Sequence, residues 1–444
     1  MAPLKSFVKY DGQSQFPLEN LPWGIFSTAK DPSPRAGLAL GDSIIDLKQL
    51  SSHPTILDSD ESPLSAAQAQ HLFTQPTLNA YIALERSTQS SFRSFVQRLF
   101  SEGDDRLATD DEWKAKILVD AKEATLHLPI SVGDYTDFCA SKEHTDNTGR
   151  ILFGEGNVLE DNWFSLPIGY HGRSSSIVVS GTDVKRPKGI SVPPNSNQPV
   201  YGPCKVLDYE LELAFVVGGP STKLGETVDL KDASMHVFGA VLMNDWSARD
   251  IQKWEMKPLG PFLGKNFATS ISPWIVEIEA LEPFKTAAPE QVPRPLPHLD
   301  EAGKGTNYDI KLFAEIRATS PTKDGAAEAE EEEGWTLTTN TNAKYLYWTM
   351  SQMLTHHTSG GCNINAGDLL ASGTISAPYD LPDPTACLLE KTRGGRKPFT
   401  LDGEGEVKRT FIEDGDEVRI RGLCSRPELG YLVGFGEVKG KVVA

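Results

Sequence analysis

Apolar and polar residues follow two rhythms along this chain. Between residues 77 and 100, TLNAYIALERSTQSSFRSFVQRLF places apolar side chains at helical spacing. Upstream, AGLALGDSIIDL reads as short β runs, beside turn-rich FPLENLPWGIF and DPSPRAG. Residues 1–120 are thus expected to form a small N-terminal β domain with helices. From residue 121 onward the texture is different. SIVVSG, ELELAFVVGG, VFGAVLMND, DEVRIRG and GYLVGFGEV are short apolar runs punctuated by Gly, Asn and Asp. Many short strands with turn signals predict a mainly β second domain over 121–444, a barrel, sandwich or roll. KYLYWTMSQMLTHHT (344–358) is the best helix there, and EQVPRPLPHLDEAGKG and the acidic KDGAAEAEEEEG (323–334) read as surface insertions.

One strand carries chemistry in its pattern. In LDYELELAFVV (207–217), Tyr209, Leu211, Leu213 and Phe215 share one face. Asp208, Glu210 and Glu212 share the other, because successive side chains alternate. Carboxylates two residues apart sit about 7 Å apart, within reach of one hard cation. An ordinary strand with an acidic outer face gives the same pattern. In VLMNDWSARDIQKWE, the apolar run stops at Asn244-Asp245. Asp245 is placed to be a ligand, or equally a helix N-cap. Arg249 and Gln252, three apart, fit one helical face and can donate toward an oxyanion. Lys265 follows in the Gly/Pro-rich PLGPFLGKNF.

SVGDYTDFCASKEH (131–144) adds Asp137 and His144. Asp137, Glu210, Glu212 and Asp245 together would form an oxygen-only cage, which suits Ca²⁺ or Mg²⁺ rather than zinc. His144 is then the candidate general base, since imidazole titrates near working pH. A lone His is also often structural. Tyr170, in a tight turn, could reach a pocket. Cys139 is a poor nucleophile candidate, because nothing around it argues for a lowered pKa.

Charge narrows the partners. A net charge of −18 excludes a nucleic-acid or anionic-membrane surface as an expected partner. The five cysteines form no CxxC, so a reduced, cytoplasmic protein is expected. No run approaches the roughly 18 apolar residues of a membrane span.

SVGDYTDF, LPIGYHGRSSSIVVSG, LDYELELAF, VLMNDWSARDIQKWE, PLGPFLGK and LLASGTIS together resemble the fumarylacetoacetase family of the fumarylacetoacetate hydrolase superfamily. FPLENLPWGIFST extends the resemblance toward the N-terminus. It implies a homodimer with an SH3-like N-terminal barrel and a C-terminal mixed β-roll. It implies hydrolytic C–C cleavage of a small 1,3-diketone in tyrosine catabolism, with Ca²⁺ and/or Mg²⁺. By the same resemblance the cation ligands fall on Asp137, Glu210, Glu212 and Asp245. A second cation site falls on Asp245, Lys265 and Thr269. The water-activating base falls on His144, oriented by Glu390, and the oxyanion donors on Arg249, Gln252 and Lys265. Substrate contacts fall on Tyr170, Gln252 and Thr374, and Asp134 is not a ligand.

Three positions depart from the family pattern. Cys139 and Met256 stand where the family has Tyr, and Phe153 stands where it has an Arg, with Arg150 the nearest cation. An apolar wall disfavours a carboxylate without a partner. The chain is therefore expected to be either a diketone hydrolase or a paralogue that uses the same site on a less anionic substrate, for C–C bond formation, decarboxylation or isomerisation. A non-catalytic dimeric binding protein is the third class. The retained His144, Glu390 and Lys265 argue against it.

Overall fold

The computed structural model describes residues 3–59, 61–154, 159–318, 334–401 and 407–444, with the side chain of Phe153 excepted. The acidic run expected to be a surface insertion lies outside these residues, apart from Gly334. Strand residues outnumber helical ones, as expected for a mainly β chain.

The N-terminal unit is a five-stranded antiparallel sheet. Its strands lie in the order Leu118–Asp120, Ser43–Asp46, Arg35–Leu40, Trp23–Thr28, Ala124–His127. The two outermost strands are joined by only the turn Ala121–Glu123. A flat sheet would hold them about 19 Å apart, four strand spacings, and a four-residue step spans at most about 14 Å. The sheet must therefore curl toward closure. Its last strand ends at His127. The helical text resolves into Asn79–Ile82 and Arg86–Leu99, whose Phe92, Phe95, Val96 and Leu99 are buried.

The C-terminal unit is built on two sheets. The larger is mixed. Its strands run Gly169–His171, Tyr135–Phe138, Leu369–Ala371, Leu211–Val217, Val237–Asp245, Thr269–Ile271, Ile177–Val179, with Val276–Glu277 also paired to Val237–Asp245. The smaller has five strands, among them Lys311–Arg317, Glu417–Ser425 and Leu432–Val443. One apolar core fills the space on the Leu213 and Phe215 side of the large sheet, with Leu312, Ile420 and Val433. A second core joins Ala214, Val216 and Met243 to Trp23, Tyr81 and Phe92 of the N-terminal unit.

That double covering changes the reading of the acidic strand. All seven residues of Leu211–Val217 are buried. The face that carries Glu212 is covered by the N-terminal unit, so it is not a solvated outer face. The regular strand also breaks at Tyr209 and Glu210, leaving Leu207–Asp208 as a separate short strand.

Candidate active site

Three strands of the large sheet deliver the carboxylates, those of Glu212 and Asp245 adjacent and that of Asp137 one strand further on, beyond Leu369–Ala371. Asp137 lies on Tyr135–Phe138, opposite Ala371 on one side and Tyr170 on the other. Glu212 pairs with Met243, and Asp245 pairs with Thr269. Oxygens of Asp137, Glu212 and Asp245 all come within 4.8 Å of one another, and all three residues are buried. One oxygen of Asp137 and both oxygens of Glu212 have no hydrogen-bond partner. Burial pushes Asp137 and Glu212 well above the usual carboxylate range, and the neighbouring negative charges push them further. Orphaned buried carboxylate oxygens are costly, and an oxygen-only set fits a hard divalent cation. Asp245 is not an N-cap: the following helix, Arg249–Glu255, begins at Ala248 without a side-chain cap.

Glu210 is placed differently from these three. Its oxygens are taken by Arg249 Nη1 at 2.8 Å and by the Lys265 ammonium. Burial favours its neutral form, but Arg249 and Lys265 outweigh it and hold the carboxyl well below its ordinary value. Lys265 also contacts Asp245. Burial works against its charge and is overcome by Asp245 and Glu210, so it stays an ammonium. An ammonium has no lone pair. The Lys265 ammonium therefore donates to Glu210 and Asp245 and offers no lone pair to a metal. The Thr269 hydroxyl donates to Asp245 at 3.2 Å, as does that of Tyr170.

His144 enters from the helix Lys142–Phe153, whose N-cap Ser141 accepts the His144 N–H. Its Nδ1 lies 2.8 Å from Glu390 Oε2, and its Nε2 faces Glu210 Oε1 at 4.0 Å. Glu390 sits on the short helix Leu388–Lys391 and is buried. It accepts from Asn147 at 2.7 Å, from Ser376 at 2.8 and 3.0 Å, and from the Cys387 thiol at 3.2 Å. Burial pushes Glu390 up, but His144 and these donors outweigh it and hold the carboxyl below its usual range. Arg249 and Gln252 do share a helical face, with Nη1 of the first donating to Oε1 of the second at 3.2 Å. Arg249 also grips Asp208, which accepts the N–H groups of Leu388 and Leu389 and so fixes the helix bearing Glu390.

The expected substrate positions differ in burial. Cys139 is half-buried, 3.0 Å from the Thr145 hydroxyl, and burial lifts its thiol to about 11, so it stays a thiol. Thr374 is buried behind Gly373, whose φ of 73° and approach to Phe138 exclude any side chain. Met256 ends the Arg249–Glu255 helix at 36% exposure. Phe153 ends its own helix, and its side chain is outside the described atoms. Arg150 pairs with Asp146 on the helix surface at 2.8 Å. Asn147, Ser376 and Cys387 escaped the sequence reading. Asn147, three residues after His144 on a helix, carried the one available signal.

Family models and full-length relatives agree on the kind of protein this chain resembles. Residues 135–443 match the model described as Fumarylacetoacetate (FAA) hydrolase C-terminal, and residues 19–129 match Fumarylacetoacetase N-terminal. The fumarylacetoacetase of Homo sapiens is 46% identical over 99% of this chain and 98% of its own length. That of Arabidopsis thaliana is 45% identical over 100% and 99%. A Mycobacterium smegmatis structure named for HpcE aligns with TM-score 0.50 at 18% identity, covering 94% of this chain and 98% of the other, a likeness of fold alone.

Proposed function

Because this chain belongs to the fumarylacetoacetase family, we propose that it hydrolyses the C–C bond of fumarylacetoacetate in tyrosine catabolism. The observation that carries this reading is a set of buried carboxylates with unpartnered oxygens beside the hydrogen-bonded His144–Glu390 pair. Asp137, Glu212 and Asp245, with Glu210, would hold Ca²⁺ or Mg²⁺. When bound, that cation supplies Lewis-acid stabilisation of the diketone oxygens.

The chain's own groups do the rest. Glu390 accepts from His144 Nδ1, which fixes the tautomer and leaves Nε2 to take a proton from water. The hydroxide adds to the carbonyl on the fumaryl side. Lys265 supplies positive charge near the developing oxyanion. Gln252 accepts from Arg249 through Oε1, which leaves its amide N–H groups to donate. Arg249 is committed to Asp208, Glu210 and Gln252, and acts by holding them. When the C–C bond breaks, fumarate leaves, and the acetoacetate carbanion takes a proton back from His144. Tyr170, Thr374 and Gln252 line the substrate.

The curled N-terminal sheet supports an SH3-like barrel ending near residue 128, followed by a C-terminal β-roll. A cytoplasmic homodimer completes the reading. Cys139 and Met256, which lack the hydroxyls of the family pattern, favour a second reading: the same site acting on a less anionic diketone. Assay with fumarylacetoacetate and Ca²⁺ or Mg²⁺ separates the two. Turnover within tenfold of a typical kcat of about 10 s⁻¹ supports the first. Absent turnover in protein that still binds Ca²⁺ overturns it in favour of the second, and Cys139→Tyr with Met256→Tyr should then restore activity.

A further inference from the structure

Gln252 and Lys265 lie at the two ends of one surface strap. Between them the chain leaves the Arg249–Glu255 helix, runs through an exposed segment with Leu259 96% and Phe262 67% accessible, and returns. Apolar tips in water cannot anchor such a segment. The anchor is instead polar. The Glu255 carboxylate accepts three consecutive amides: Phe262 at 2.7 Å, Leu263 at 3.0 Å and Gly264 at 2.7 Å. Oε1 takes the first and third, and Oε2 takes the second. Gly264 is pressed so closely on Gln252 that a Cβ there would lie 2.7 Å from the Gln252 Cβ. Its carbonyl accepts the Ala248 N–H at 2.8 Å. The next residue is Lys265, whose ammonium bridges Glu210 and Asp245.

We propose that Glu255 is a positioning residue, a carboxylate staple that fixes the strap and thereby sets Lys265 against Glu210 and Asp245 and Gln252 toward the substrate. The kinetic part rests on the hydrolase reading above; the structural part does not. Without the staple, the side-chain tie from Glu255 to the three returning amides is lost, and Lys265 can leave the carboxylates. Displacement of a group by about 1 Å can cost 10²-fold in rate.

The test uses the full-length protein with Glu255→Ala and Glu255→Gln. Gln keeps one acceptor oxygen and is the milder change. In Glu255→Ala, amide hydrogen exchange at 262–264 should accelerate by at least about tenfold, with melting temperature little changed because the strap is exposed. Calorimetric Ca²⁺ affinity should tighten, since an ammonium no longer competes beside the cage. That tightening should vanish when Lys265→Met is already present, a coupling that simple loosening of a loop would not give. With fumarylacetoacetate, kcat should fall by about tenfold or more while KM moves less, and Glu255→Gln should fall between. Unchanged exchange in the alanine variant would overturn the staple. Accelerated exchange with unchanged, Lys265-independent Ca²⁺ affinity would overturn the link to the site. Both arms can be read if wild-type protein does not turn over fumarylacetoacetate, so failure of the hydrolase reading stays separate.

Discussion

Two buried acidic centres stand side by side in this protein and behave in opposite ways. In the cage, Asp137 and Glu212 hold oxygens without partners, and their carboxyls are driven upward. In the dyad, Glu390 is equally buried, yet its carboxyl is held below the ordinary range. Burial acts in the same direction on both. The difference is supply: Glu390 receives donors from His144, Asn147, Ser376 and Cys387. The cage receives a shared ammonium, weak hydroxyl contacts and each other's negative charge. A satisfied carboxylate can orient an imidazole without changing its own state. An unsatisfied oxygen-only cluster is the kind of donor set that suits a hard divalent cation.

The largest expected effect separates the two centres by function. His144→Ala should lower kcat by about 10²–10⁴ while leaving calorimetric Ca²⁺ affinity near wild type. If Ca²⁺ binding fell in parallel, the centres would be one unit and the comparison would fail. Next comes Glu212→Gln. Loss even of an outer partner typically costs about 10–100-fold in metal affinity, so removal of a ligand should weaken Ca²⁺ binding by at least that. Calorimetry and a chelator titration would measure it, and an unchanged affinity would remove Glu212 from the cage.

A third effect follows from protonation. Burial and mutual repulsion favour the protonated form of Asp137 and Glu212, and a cation bound among them favours the ionised form. Ca²⁺ binding near neutral pH should therefore release protons, detectable by calorimetry in buffers of different ionisation enthalpy. Glu212→Gln should reduce the release, whereas Glu390→Gln should not.

The smallest effect uses an intermediate case. Glu277 is buried like the others but has one cation, Arg93, at 2.9 Å across the interface between the two units. Burial outweighs Arg93 and lifts its carboxyl to about 7. The unfolded chain ionises this group near its free value of about 4.3. Between there and about 7 the unfolded state loses its proton and the folded state keeps it, so stability falls as pH rises through that window and levels off above it. Glu277→Gln, a neutral stand-in for the protonated carboxyl, should show a flatter fall of melting temperature across the window.

The strands that carry the site were legible because short apolar runs ended by Gly, Asn and Asp specify them locally. Val237–Asp245, Arg249–Glu255 and Tyr135–Phe138 fall where VFGAVLMND, RDIQKWE and SVGDYTDF place them. The alternation of 207–217 gave the facing of Glu210 and Glu212, but not the break at Tyr209 that separates their surroundings. Ser376 as a support of Glu390 was hidden because it meets the His144–Asn147 helix and the Cys387–Glu390 turn only in space, and local pattern carries no information about such meetings.

What the sequence determined by itself is the inventory: carboxylates, an imidazole, an ammonium and their order on strands and helices. Only the tertiary structure decided which carboxylates would be satisfied. It packed the N-terminal unit on Ala214 and Val216, on the strand face that also carries the buried Glu212, and it carried the Leu388–Lys391 helix to His144. Desolvation and hydrogen-bond supply depend on what lies nearby in space, and residues distant in sequence provide most of that here.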